Sequence, residues 1–155
     1  MTRADEPPDS GQVGGIEVIP LGVLVFVIGT LLIANIWAVI DAKAAVDSAA
    51  REAARHYVEA EVVRAGDEPG ARRAAVDAGL EALAAHGRDP AAGEVWLSGG
   101  NGFVRCARAE FTASYRVPAL TLPWIGGFGE GFEVTSTHSE LVDPLRDGVP
   151  GEACL

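Results

Sequence analysis

Few side chains in this sequence are spaced for chemistry. His56, His86 and His138 lie far apart in the chain, without the short spacings that gather ligands around a metal. They read as solvent or packing histidines, and no metal and no cofactor is expected. Cys106 and Cys154 either form a disulfide holding the C-terminal tail to a strand or remain two thiols. Spacing does not decide between these, because a bridge requires the two Cα atoms to lie close in space. The glycine-rich run at residues 126–131 does not join a strand to a helix, so it reads as a loop and not as a phosphate cradle. Carboxylates are plentiful but scattered, and no acid–base pair stands out. Nucleophile-elbow, phosphate-loop, Cys-x-x-Cys and zinc-protease motifs do not occur. The chain is therefore read as non-enzymatic. The most informative charged residue is Glu17, the carboxylate immediately before a long apolar run. It either marks the water boundary and favours a helix N-terminus, or it meets a partner within the membrane.

The elements around Glu17 set its context. Residues 18–40 (VIPLGVLVFVIGTLLIANIWAVI) contain no charge. As a helix they would be about 34 Å long, enough for a hydrocarbon core of about 30 Å. A secretory signal peptide would have a shorter apolar region, a basic start and a small-residue cleavage site. Residues 1–16 instead carry Arg3 against Asp5, Glu6 and Asp9. We therefore expect a disordered leader over residues 1–15 and a transmembrane helix over residues 16–42. Pro20 falls near the first helical turn, Asn35 is the most polar group inside, and Trp37 stands near the far boundary.

No breaker separates that helix from the alanine-rich stretch that follows, so residues 43–65 read as an amphipathic extension of it, ending near Val63. Its stripe comprises Val46, Ala50, Ala53 and Tyr57, with Glu61 at its end. A second helix is expected over residues 71–86, with Val76, Leu80 and Leu83 as its apolar stripe and Gly87 as its stop. Strands are expected at residues 94–98, 103–117 and 132–142, the first two joined by a hairpin loop at residues 99–102. The fold class is α+β: a long N-terminal helix, a second helix and a three-stranded antiparallel sheet covered by the soluble half of the long helix. The helix-plus-sheet domain spans residues 66–147 and a tail follows at residues 148–155. Within the connection at residues 118–131, Trp124, Ile125 and Phe128 either form a contact patch for another subunit or fold onto the sheet. The net charge of −10 excludes a basic surface for nucleic acid or for anionic lipid.

A short Gly-containing polar leader, an apolar helix opened by one Glu, and the continuation IWAVIDAKAAVDSAAREAARHYVEA together resemble a type IV pilin or pseudopilin. The resemblance is closest to the TadE/TadG-like minor pseudopilins of the tight-adherence (Flp) pilus assembly system, in their actinobacterial form. It covers residues 11–65 well and residues 103–147 loosely, the latter through THSELVDPLRD. It implies a bacterial membrane protein with its leader in the cytoplasm and its domain outside, beside other pilin or pseudopilin subunits and pilus assembly proteins. It also implies a prepilin peptidase that cuts after a Gly, leaving Glu as the fifth residue to neutralise a neighbouring subunit's N-terminal amine. Glu17 matches that residue. Counting back from it places the cut after Gln12, and Gly11 lies one position earlier. The bases Lys43, Arg51 and Arg55 follow the span and only Arg3 precedes it, which by the positive-inside rule favours a cytoplasmic domain. The resemblance and the cysteine pair favour a domain outside, the orientation adopted here. The alternative is an uncleaved single-pass accessory protein that binds or regulates an envelope partner.

Overall fold

The computed structural model describes residues 18–60, 68–100, 102–118, 121–122, 126–127, 131–152 and 154. The chain divides into two compact units, Met1–Trp37 and Ala38–Leu155, and one helix, α1 (Val18–Glu59), contributes to both. The first unit, where described, is helix alone. The second is an α+β domain.

In the second unit α1 is followed by α2 (Glu68–Ala85), a single 3₁₀ turn (Pro90–Ala92) and strand β1 (Gly93–Gly99). Next come β2 (Arg108–Val117), the short β3 (Thr121–Leu122) and β4 (Gly126–Gly127), and β5 (Phe132–Leu141). The main sheet has the order β1-β2-β5 and is antiparallel throughout. Its register aligns Val95, Ala113 and Ser136 across the three strands, and pairs Phe111 with His138. β3 and β4 pair with each other inside the stretch read from sequence as loop.

Small residues let the layers approach. Ala42, Ala45, Val46, Ala49, Ala50, Ala53, Ala54 and Tyr57 of α1 are all buried. This face is broader than the expected stripe. Asp47, outside the expected stripe, accepts a hydrogen bond from the Ser136 hydroxyl on β5 (3.0 Å), which fastens helix to sheet. On α2 the buried stripe is Ala71, Ala75, Gly79 and Leu83, whereas Val76 and Leu80 are only half-buried. Leu83 lies on the expected stripe, while its first two members are displaced one position, to Ala75 and Gly79. A methyl group on Gly79 would stand 3.1 Å from the Ala49 carbonyl oxygen and 3.0 Å from Val95 Cγ1, so the face toward α1 and β1 has room only for small side chains. Contact with neighbouring backbone, and not side-chain size, chose that face.

Local stops follow ordinary chemistry. Gly87 closes α2 with a φ of +70°, and the Arg88 N–H donates back to the Leu83 carbonyl (3.1 Å) while the Gly87 N–H donates to Ala84 (2.8 Å). Asp89 caps the 3₁₀ turn by accepting from the Ala91 N–H (3.0 Å).

Three boundaries differ from expectation. α2 begins three residues early, at Glu68 and not at Ala71. α1 ends at Glu59 and not near Val63, and Ala60 is already outside the helix. β2 begins at Arg108 and not at Phe103. Residues 103–107 form a turn in which Cys106 takes a left-handed φ of 65°. Their backbone bonds go elsewhere: the Arg105 N–H donates to Pro150 (2.8 Å) and the Cys106 N–H to Val142 (3.1 Å). Phe103 turns inward onto Tyr57, ring centroids 5.3 Å apart, edge to face. The strand-like alternation of that segment therefore comes from packing onto α1, not from strand pairing.

Replacing Gly79 by Val should overpack this junction and cost about 2 kcal/mol, read as a lowered thermal midpoint of the detergent-solubilised protein. Gly22→Ala and Gly29→Ala, with nothing within 4 Å of the added methyl, should leave the midpoint in place.

Candidate functional site

The strongest functional feature is the apolar part of α1. From Val18 to Trp37 most of its large side chains are exposed, including Phe26 at 74 % and Trp37 at 65 %. A helix apolar on so much of its surface is compatible with an apolar surround, because water-soluble chains rarely leave so large a patch uncovered. Among the described residues α1 is the one helix long and apolar enough to cross a membrane. Its interior polar groups are also satisfied within the helix. Thr30 Oγ1 donates to the Phe26 carbonyl (2.9 Å) and Asn35 Nδ2 to the Leu31 carbonyl (3.3 Å). In hydrocarbon an unpaired polar group is costly, so these turn-back bonds suit the segment to lipid. Asn35, the most polar group of the charge-free run, thus bonds within its own helix.

The C-terminal tail is the second organised feature. Cys106 and Cys154 are joined by a disulfide, with Cα atoms 5.8 Å apart. The tail it secures carries Arg146, whose guanidinium donates to the carbonyls of Val58, Glu59 and Ala60, the last two at 2.8 Å. These are the carbonyls that the end of α1 leaves without helical partners, and a cation is favoured at that end. Arg146 also lies over the Phe103 ring, 5.8 Å from its centroid. Sequence reasoning missed Arg146, because it stands 86 to 88 positions from the carbonyls it caps. Arg88 was missed likewise. It pairs with Asp41 of α1 and lies 5.7 Å over the ring of Tyr115.

Tyr57 is the largest fully buried side chain, 1 % exposed, and its hydroxyl donates to Glu68 Oε1 of α2 (3.1 Å). Burial first, then the charge and hydrogen bond of Glu68, push its phenol up to about 12. The histidines do not converge. His56 is on α1, His86 follows α2, and His138 on β5 bonds Glu140 (3.0 Å). Among the described residues no cluster of three or more His, Cys, Asp or Glu side chains could hold a metal. Glu17, Gly11 and Gln12, and the patch Trp124, Ile125 and Phe128, lie outside the described residues.

Comparison with protein-family models, with curated proteins and with solved structures returns no match for this chain.

The raised phenol has a definite sign. The folded protein holds the Tyr57 proton between pH 10 and 12, where the unfolded chain has lost it. This contribution to stability is complete below about pH 10 and disappears as pH rises through about 12. Alkaline absorbance titration should show a tyrosinate step near pH 12 that Tyr57→Phe removes. Cys154→Ser opens a cross-link across 48 positions and should cost about 4 kcal/mol by chain entropy, measured as denaturant stability against the oxidised parent.

Proposed function

We propose that this chain is a non-enzymatic, pseudopilin-like component of a tight-adherence pilus or a related secretion machine. In this reading it is a single-pass protein of a bacterial cell membrane with its α+β domain outside. The observation that carries the reading is α1 itself: one unbroken helix, apolar and largely bare over residues 18–37, then small-faced and packed within a folded domain over residues 38–57. A pilin-type subunit needs both properties, a lipid-compatible segment that can later pack beside copies of itself and a rigid continuation that carries the head domain. The disulfide supports a domain outside the cytoplasm, where thiols oxidise and stay oxidised. Glu17, at the opening of the helix, is the residue that would meet a neighbouring subunit's amine.

The second reading, an uncleaved accessory protein binding or regulating an envelope partner, is favoured by one observation. Residue 12, before the expected cut, is Gln and not Gly.

Intact mass of the membrane-extracted protein, from cells with and without prepilin peptidase, separates the two. The pseudopilin reading expects loss of residues 1–11 or 1–12 only where the peptidase is present. A full-length mass in both strains would leave the accessory protein. A reporter fused after residue 155 that proves cytoplasmic would overturn the pseudopilin reading.

A further inference from the structure

Resting on the membrane-anchor reading above, we infer that the domain has a second membrane contact of its own, made by Phe132 and the 3₁₀ turn at the end of the domain where α1 enters. β5 and α1 run in the same direction there. Lys43 Nζ donates to the Thr135 carbonyl, and one helical turn later Asp47 accepts from Ser136 at 3.0 Å. From Thr135 back to Phe132 is three strand residues, about 10 Å. From Lys43 back to Ile40 is three helical residues, about 4.5 Å. The Lys43 contact thus places Phe132 about 5 Å, and the Asp47 contact about 3 Å, further toward the entering end of α1 than Ile40, the last residue of the charge-free run.

Phe132 is 62 % exposed although it begins a ten-residue strand and pairs with buried Val117. Among the described residues the ring has no covering partner. At a lipid headgroup boundary it has one, because aromatic rings partition there. The neighbouring strand end agrees. Gly93 pairs with Tyr115 of β2, so the exposed Pro90 and Ala91 just before β1 face the same end. Arg88, beside them, is held to Asp41 of α1, which ties that end of the domain to the helix just after its charge-free run. Arg116 and Glu133, the register partners next to Val117 and Phe132, are of opposite charge and lie by strand alternation on the other face of the sheet. The surface is small and of mixed polarity, which suits shallow contact with headgroups and the upper acyl chains, not insertion.

The contact predicts a fixed height of the domain above the bilayer. The full chain, reconstituted in vesicles of phosphatidylethanolamine and phosphatidylglycerol, would carry one nitroxide at Phe132→Cys, Val27→Cys or Leu145→Cys, the native cysteines remaining in their disulfide. Accessibility to oxygen, which concentrates in lipid, is compared with accessibility to a water-soluble nickel chelate. The label at 132 should show an oxygen-to-nickel ratio severalfold above that at Leu145, which is 80 % exposed in the tail, and below that at Val27. A ratio at 132 equal to that at 145, with 27 deep in lipid, would overturn the contact and leave the anchor standing. A label at 132 shielded from both reagents would also overturn it, and would assign the ring to a protein neighbour. A water-exposed label at 27 would overturn the anchor and this inference with it.

Discussion

The domain depends on the closeness with which α1 lies on its neighbours. Its buried face is almost wholly alanine, from Ala42 to Ala54, with Val46 and Tyr57 as the larger members. Alanine gives little area per residue but lets backbones approach, and at interior packing density the gain comes from the many contacts this permits. Bulk is supplied from the other side, by Phe111, Leu83 and Val142. The same closeness dictates Gly79 on α2, and Asp47 and Lys43 fasten the helix to β5 at Ser136 and Thr135. Longer side chains on α1 would move the sheet and α2 outward together.

The other end of that helix is secured differently. Tyr57 joins four pieces of chain: α1 itself, the turn at Phe103, the central strand at Phe111, and α2 through Glu68. Arg146 then closes the exposed carbonyls of the last turn, and the disulfide keeps the tail that carries it against the turn at residues 103–107. Arg105 completes the lashing, its Nε donating to the Arg146 carbonyl at 3.0 Å. A chain of this size has a modest core, and cross-linking the tail adds stability that area alone would not supply.

One helix serves two surroundings by changing its side chains and not its backbone. Over residues 18–40 the outward groups are large and apolar, and Thr30 and Asn35 turn their polar atoms onto the preceding turn. Past residue 41 the face becomes small and the outer positions charged, with Arg51–Asp47 and Arg55–Glu59 pairs one turn apart. Such exposed pairs are screened by solvent and contribute little stability each. Their effect is to keep the outer side of the helix wet.

What the sequence determined by itself was whatever is local. The charge-free run of residues 18–40, the unbroken alanine continuation, Gly87 as a helix stop and the alternation from Ala109 to Val117 are each written in consecutive residues, and periodicity reads them. The α+β class follows from them. Tertiary structure alone decided three things. It set the face of α2, because only contact with Ala49 shows that a methyl at residue 79 meets backbone. It set the start of β2, because the turn at Cys106 draws its hydrogen bonds from residues 142 and 150 and not from a neighbouring strand. It also joined Cys106 to Cys154 and placed Arg146 on the end of α1, since pairings across 48 and more than 80 positions depend on the folded path of the chain and leave no periodic trace in it.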